Sequence, residues 1–214
     1  MTIAAIAKNH VEKDLRSFFA AENIDWILLT TVPAADEPFT ADIVLDLDFV
    51  NEDGRCEQLA RLQPALIMVN AVVPTLQEIG RSFVRINGWP GFRGRNIHEL
   101  VTPDEATTQR VEQLYQKLGY TYRLVSDTTG MIAPRILAGV INEAWYTWEE
   151  QVSTKEEIDT AMKLGTNYPF GPFEWGERIG LGQIAGLLWS LSRTDPRYLP
   201  AGALQQAVQG LKCD

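Results

Sequence analysis

The sequence predicts an α/β protein in which a parallel sheet with helices on both faces is followed by an all-helical region. Two observations support this fold class. Short, continuously apolar runs alternate with helical periods as far as residue 127, a pattern typical of parallel strands buried on both faces. From Gly130 onward the strand signal stops, and only long helical periods remain.

Each predicted strand is a short apolar run of β-compatible composition. The predicted strands cover residues 2–7, 26–32, 42–47, 65–70, 83–87 and 120–125. Between the first two, Val11, Leu15, Phe18 and Phe19 recur at helical spacing, which predicts a helix over 10–21. The opening is therefore a β-α-β unit, whose crossover is expected to be right-handed.

Helix boundaries in the rest of the chain follow from capping signals. A helix is predicted over 54–62. Another begins at Thr102 and Pro103, a hydroxyl cap before a proline, and ends at Gly119. In the helical region the predicted helices cover 131–150, 155–164 and 174–191. Ser153 with Glu156 resembles a capping box for the second of these, and Gly165 should end it. We predict two domains, 1–127 and 128–214.

Composition and charge exclude several classes of partner. The net charge of −9 is spread along the chain without a basic stripe, which argues against nucleic acid and anionic membranes. Neither a signal peptide nor a membrane-spanning run is apparent, so a cytoplasmic protein is expected. The two cysteines, Cys56 and Cys213, have no spacing suited to zinc, so we expect reduced thiols and no metal site.

The segment 156–181, EEIDTAMKLGTNYPFGPFEWGERIGL, carries the most specific motif of the chain. It resembles the helical C-terminal domain of the 3-hydroxyacyl-CoA dehydrogenase family, whose hallmark is D-x-A-M-x-L-G-x-x-x-P-x-G-P-x-E. Upstream, 127–144 (DTTGMIAPRILAGVINEA) resembles that family's D-x-P-G-F-x-x-N-R segment. The resemblance implies a reduced Rossmann-like parallel sheet followed by an all-helical C-terminal-like domain. It also implies a homodimer through the helical domain, where four of the six tryptophans lie.

The loop after the first strand departs from the family. Members bind NAD through G-x-G-x-x-G, where glycines let the backbone approach the pyrophosphate. The matching stretch 7–12, AKNHVE, has no glycine: Ala7 and Asn9 add side-chain bulk, and Glu12 adds a carboxylate. Lys8 or His10 could instead receive an anion, although a solvated loop is the simpler interpretation. No cofactor is therefore expected, although the family uses NAD.

The catalytic positions of the family are also altered. In register with Pro90, the family's histidine is replaced by Ile86, and its N-T-S-S turn becomes Asn70 followed by Ala-Val-Val. The asparagine of D-x-P-G-F-x-x-N-R becomes proline, whereas Arg135 is retained. The family's glutamate falls at His98 or Glu99, depending on a one-residue shift of the alignment.

His98 and Glu99 are the weak catalytic candidates, because a histidine beside a carboxylate could form a relocated acid/base pair. Adjacent residues point in different directions on a strand or a helix, so the two cannot easily share one proton with one substrate. A structural role for both is the competing interpretation.

These observations predict a 3-hydroxyacyl-CoA dehydrogenase-like protein that is catalytically degenerate and does not bind NAD. An acyl-CoA or another small carboxylate is the expected ligand, with Asn70, Asn87 and Arg135 as candidate binding residues. Two alternatives stay open: a residual dehydrogenase of fatty-acid metabolism, and a structural partner of a β-oxidation enzyme.

Overall fold

The computed structural model describes residues 1–8, 15–21 and 23–210. The chain divides into two compact units, Met1–Met131 and Ile132–Asp214, against a predicted division after residue 127. Within the described ranges, no helix has both the length and the apolar character needed to span a membrane.

The first unit contains a seven-stranded sheet in the order β2-β1-β3-β4-β5-β6-β7. The strands are β1 Thr2–Ile6, β2 Asp25–Leu29, β3 Ile43–Asp46, β4 Leu66–Asn70, β5 Val84–Ile86, β6 Ile97–Val101 and β7 Thr121–Leu124. All neighbours pair in parallel except β5 and β6, which are antiparallel. The α/β fold class is thus confirmed. The sequence predicted six strands of this sheet; the structure adds β6, which pairs antiparallel with β5 and whose apolar pattern is interrupted by His98 and Glu99.

Alternate residues of the inner strands enter two different cores, which explains why these strands are apolar throughout. Ile43 and Leu45 of β3 pack into one cluster, together with Phe18 and Phe19. Val44, between them, packs into a second cluster on the opposite face. The strands at the centre of the sheet are therefore buried on both faces, as the sequence predicted.

The helices of the first unit are α1 Asp53–Ala60, α2 Leu76–Ile79 and α3 Glu105–Leu118. The start of α3 was predicted wrongly. Asp104, not Thr102, is its N-cap and accepts from the backbone amide of Thr107 at 2.7 Å. A carboxylate closer to the first turn supplies the same acceptor as the expected hydroxyl. The first part of the predicted helix at 10–21, as far as residue 14, lies outside the described residues, and Leu15, Phe18 and Phe19 from its second part are buried.

The second unit is helical, as predicted. Its helices are α4 Ala133–Glu149, α5 Lys155–Thr166, α6 Pro172–Ile179, α7 Leu181–Ser192 and α8 Gly202–Gly210, with a 3-10 turn at Pro196–Tyr198. The predicted helix over 174–191 is interrupted at Gly180, where φ is 99°. That conformation breaks the helical path and is one that glycine adopts readily.

The capping prediction for α5 was wrong by one residue at its start. Thr154 is the N-cap and forms the capping box with Glu157, while the Ser153 hydroxyl bonds the Glu157 carboxylate at 2.6 Å. The helix also runs past Gly165 and ends at Asn167, which takes the left-handed conformation with φ 55°. Asparagine tolerates that conformation better than most non-glycine residues.

Candidate functional site

The carboxyl ends of the parallel strands β1, β3 and β4 lie at one edge of the sheet, the edge where nucleotide-binding α/β folds place their ligands. Lys8 follows β1, and Asp48 follows β3. The backbone amide of Lys8 donates to Asp48 Oδ2 at 2.5 Å. The amide of Ala7, the first residue after β1, donates to the Leu29 carbonyl at 2.9 Å. The amide of the second residue, Lys8, is thus bonded to a carboxylate of the chain itself. Ala7 is buried, whereas Asn9, His10 and Glu12 lie outside the described residues.

Asp46, the last residue of β3, is fully buried and supports this edge from within. Its carboxylate accepts from Arg55 of α1 in a two-pronged pair, at 2.8 Å and 2.9 Å, and from the amide of Asp48 at 3.2 Å. Burial raises the pKa of Asp46, and Arg55 opposes that rise. Sequence reasoning missed this pair, although a carboxylate inside an apolar strand signals a buried partner.

Asn70, at the end of β4, uses both polar atoms of its amide on the backbone. Its Nδ2 donates to the Leu47 carbonyl at 3.1 Å, and its Oδ1 accepts from the Gly88 amide at 2.9 Å. A Cβ added to Gly88 would lie 2.9 Å from Leu47 Cδ2 and 3.0 Å from the Asn70 side chain. Asn70 therefore fastens the ends of β3 and β5 together.

Position 86, where the family resemblance expects a histidine, holds a core residue. Ile86 is fully buried and belongs to the cluster that contains Leu100 and Tyr115. The next residue, Asn87, is also buried, and its Oδ1 accepts from the Trp89 amide at 3.3 Å. Its backbone amide donates to the Glu99 carbonyl at 3.4 Å across the β5–β6 pairing. Asn87 and Glu99 are thus neighbours through their backbones.

His98 stands beside Glu99 on β6 but is buried among aromatic rings. Its Nδ1 lies 2.9 Å from the Tyr115 hydroxyl, and its ring lies 4.3 Å from that of Phe18. Nε2 is buried and has no hydrogen-bond partner among the described residues. Burial lowers the pKa of His98 to about 4, so the ring is neutral near pH 7. Side chains of adjacent strand residues point to opposite faces, so this environment is not shared with Glu99.

Arg85 of β5 is fully buried, and its guanidinium has several partners. Nε donates to the Ala71 carbonyl at 2.9 Å, and one terminal nitrogen donates to the Val72 and Thr128 carbonyls at 3.3 Å each. The other terminal nitrogen pairs with the carboxylate of Asp127. Sequence reasoning missed this arginine. Its position inside an apolar strand was a signal that it is buried and needs a partner.

Asp127 in turn binds the start of α2. Its carboxylate oxygens accept from the backbone amides of Leu76 and Gln77, at 2.9 Å and 3.3 Å. The Arg85–Asp127 pair therefore connects the end of β4, helix α2 and the segment after β7.

In the second unit, Arg135 of α4 contacts the 3-10 turn. Its Nε donates to the Tyr198 hydroxyl at 3.0 Å, and its guanidinium carbon lies 5.1 Å from the centre of the Tyr198 ring. Arg197 donates to the same hydroxyl at 2.9 Å and pairs with Asp195 at 2.8 Å. The hydrogen bond from Arg135 is the main cause that lowers the pKa of Tyr198, and Arg197 adds to it.

The residues of the signature motif contact one another where α5 meets α6. Buried Asp159 accepts from the backbone amides of Phe173 and Glu174, at 2.8 Å and 3.1 Å. Glu174 accepts from the Gly171 amide at 2.9 Å and from Lys163 Nζ at 2.6 Å. A Cβ on Gly171 would lie only 2.3 Å from Asp159. The motif is thus a set of interlocking structural contacts.

Within the described ranges, no group of three or more histidine, cysteine, aspartate or glutamate side chains could hold a metal ion. The described site residues offer hydrogen bonding and charge pairing. Most of the polar groups at the sheet edge form their hydrogen bonds with the backbone of the chain itself.

We call the contacts of Asp159, Gly171 and Glu174, where α5 meets α6, the α5–α6 corner. A Rossmann-type sheet followed by a helical unit with this corner defines the class of protein: it is the two-unit architecture of the 3-hydroxyacyl-CoA dehydrogenases. The family model of the 3-hydroxyacyl-CoA dehydrogenase C-terminal domain matches residues 130–212. The chain belongs to the 3-hydroxyacyl-CoA dehydrogenase family.

Curated relatives and solved structures agree with this assignment. The chain is 40% identical to the 3-hydroxyadipyl-CoA dehydrogenase of Escherichia coli over 108 residues, which is 50% of this chain and 22% of that protein. It is 38% identical to the human mitochondrial hydroxyacyl-coenzyme A dehydrogenase over 198 residues, which is 85% of this chain and 63% of that protein. The (S)-3-hydroxybutyryl-CoA dehydrogenase structure of Ralstonia eutropha matches the fold with a TM-score of 0.73 at 20% identity, covering 98% of this chain and 93% of that one.

Several of these matches cover only a small part of the relative. The E. coli match spans 22% of that protein, and the match to the 3-hydroxybutyryl-CoA dehydrogenase of Bradyrhizobium diazoefficiens spans 38% of that one.

Proposed function

We propose that this chain is a catalytically degenerate member of the family that does not bind NAD and that binds an acyl-CoA or another small carboxylate. The Asp48–Lys8 hydrogen bond is the observation that carries the proposal. A pyrophosphate bound after β1 needs backbone amides that point at it. Here the Lys8 amide faces the Asp48 carboxylate, so a phosphate would meet a like charge and would have to displace it.

The catalytic positions support the same proposal. A general base contributes about 10²- to 10⁴-fold to rate when it can reach the substrate proton. Ile86 has no titratable group, and Asn70 has both polar atoms on the backbone. His98 is enclosed by aromatic rings, which favours a structural role over a relocated base.

Ligand binding is proposed for the two candidate residues whose side-chain donors are not all used within the described part of the chain, Asn87 and Arg135. Asn87, at the carboxyl end of β5, is the candidate contact for such a ligand in the first unit, and Arg135, on α4, is a separate candidate in the second unit. Among the residues that the structure describes, the Asn87 side chain is bonded through Oδ1 only and the Arg135 guanidinium through Nε only. Membership of the family favours a place in fatty-acid metabolism, and the cytoplasm stays the predicted compartment.

A homodimer through the helical unit is proposed on its exposed apolar side chains. Ile136 is 59% exposed and Trp189 45% exposed, and large apolar side chains at a surface are typical of interfaces. Light scattering at micromolar concentration measures the association state, and a monomer there would contradict this part.

Calorimetry with NADH tests the central proposal. We expect no binding tighter than about 0.1 mM, which corresponds to an interaction of roughly 5 kcal/mol. Asp48→Asn removes the opposing charge but restores no glycine, so it should gain little affinity. Asp36→Asn is the matched control, since it makes the same change at an exposed loop position. NADH binding by the unaltered protein in the micromolar range would contradict the proposal.

A residual dehydrogenase is the second candidate, and one observation favours it: Glu99 retains a carboxylate next to Asn87. The measurement is oxidation of NADH by the protein with acetoacetyl-CoA. Turnover that is lost in Glu99→Gln and kept in His98→Phe would support the enzyme. A structural partner of a β-oxidation enzyme is the third, and association with such an enzyme would support it.

A further inference from the structure

Two arginines of this chain differ in how fully their guanidinium groups are bonded. Arg85 is fully buried, donates through all of its nitrogens and pairs with Asp127. Arg135 is half-buried and donates only through Nε, to an uncharged phenol. Among the described residues, its two terminal nitrogens have neither a hydrogen-bond acceptor nor an ion-pair partner. A planar fork of donors is thus left open.

A second guanidinium stands beside the first. Arg135 and Arg197 donate to the same Tyr198 oxygen, at 3.0 Å and 2.9 Å, so two positive groups converge on one atom. The carboxylate of Asp195 pairs with Arg197 at 2.8 Å and offsets one of the charges. The cluster keeps one uncompensated positive charge in a protein whose net charge is −9.

We infer that Arg135, Tyr198 and Arg197 form a binding site for an oxyanion, either a carboxylate or a phosphate. Guanidinium groups bind both anions through two parallel N–H···O bonds, and the open fork of Arg135 has the geometry for this. The Tyr198 hydroxyl accepts from both arginines and holds them side by side. The anion would bind the terminal nitrogens of Arg135 and offset the positive charge that Asp195 does not compensate.

The inference deepens the proposed function, on which it rests for the ligand's identity: the site would anchor the carboxylate or a phosphate of an acyl-CoA-type molecule. The competing explanation is that Arg135 only fastens the 3-10 turn to α4. Both explanations predict the Arg135–Tyr198 hydrogen bond, but only the binding site predicts a response of Tyr198 to an added anion.

The test is the titration of Tyr198, measured as tyrosinate absorbance of the unaltered protein minus that of Tyr198→Phe. Both arginines lower the pKa of Tyr198, and Asp195 pairs with one of them. An anion on Arg135 neutralises part of this effect, so inorganic phosphate or acetate should raise the pKa of Tyr198 and the shift should saturate. Chloride at equal ionic strength controls for screening, which does not saturate at low concentration.

Variants separate binding from tethering. Arg135→Gln should abolish the saturable shift, and Arg135→Lys should weaken it because an ammonium lacks the fork. Arg123→Gln removes one positive charge at an exposed site of the first unit and should leave the shift unchanged. Saturation by phosphate alone assigns a phosphate ligand, and saturation by acetate alone assigns a carboxylate.

No saturable shift, or an equal one in chloride, would overturn the inference. If no saturable shift occurs but calorimetry with acetoacetyl-CoA shows binding, the proposed function would stand and the ligand would be anchored elsewhere. A positive result combined with tight NADH binding would keep the site and remove the proposed function.

Discussion

The carboxyl edge of the sheet and the α5–α6 corner both place a carboxylate on backbone amides, but with different consequences. At the corner, Asp159 accepts from the first amides of α6, and the signature residues around it serve the same contact. At the edge, Asp48 accepts from the amide of Lys8 in the loop after β1, where a dinucleotide-binding fold presents its amides to phosphate. The Asp159 contact explains why the signature motif of the helical unit is present. The Asp48 contact, by contrast, lies in the loop where the glycine motif of the family is missing.

A strong family signature can thus reflect the requirements of folding without indicating that catalysis is retained. Asp159, Gly171 and Glu174 are each explained by contacts with one another. The motif can therefore persist while the residues of the first unit change, because packing in the second unit requires it.

Substituting Gly171 with alanine should produce the largest effect. The added Cβ would lie 2.3 Å from Asp159, so Asp159 must move and release the amides of Phe173 and Glu174. Overpacking and loss of the cap together should cost about 3 kcal/mol or more. Urea unfolding followed by tryptophan fluorescence measures the loss.

Gly165→Ala is the matched control, since a Cβ there meets nothing within 4 Å and the residue lies in α5. It should be neutral or slightly stabilising, as alanine is the better helix former. Equal stability of the two variants would show that the corner is not interlocked, and the explanation of the signature would fail.

The Arg85–Asp127 pair provides the corresponding test in the first unit. Asp127→Asn removes the charge opposite a fully buried guanidinium while leaving an amide oxygen for α2. Breaking a buried pair costs about 3–5 kcal/mol, and since Asp127 is partly exposed we expect roughly 2–3 kcal/mol. Chemical unfolding measures it, with the exposed Asp36→Asn as the control. A loss no larger than the control's would mean that solvent already screens the pair.

The sequence was sufficient for the plan of both units, because the inner strands are apolar on both faces and the helices of the second unit have clear helical periods. It was insufficient for β6, since His98 and Glu99 interrupt the apolar pattern although His98 is buried. Capping boxes were placed one residue early at α5 because Ser153 and Thr154 are both acceptable caps. The side chains that organise the site, Asp48 and Arg85, depend on partners distant in sequence, which local patterns do not encode.

Substituting His98 should have the smallest effect on the free energy of unfolding at neutral pH, and a larger effect in acid. Burial lowers its pKa to about 4, whereas an exposed histidine titrates near 6.5. Between these values the unfolded chain binds more protons than the folded protein, so stability falls as the pH drops through this window. The loss due to His98 should be roughly 2 kcal/mol between about pH 7 and pH 5.

His98→Phe keeps an aromatic ring in the cluster with Phe18 and removes the titrating group, so its unfolding free energy should depend less on pH in that window. His10→Gln, which removes the other histidine of the chain, is the control and should keep the dependence. If His98→Phe kept it as well, the ring would be open to protons and a catalytic role for His98 would regain support. A flattened profile, by contrast, would place His98 with Asp159 among the residues that hold the fold.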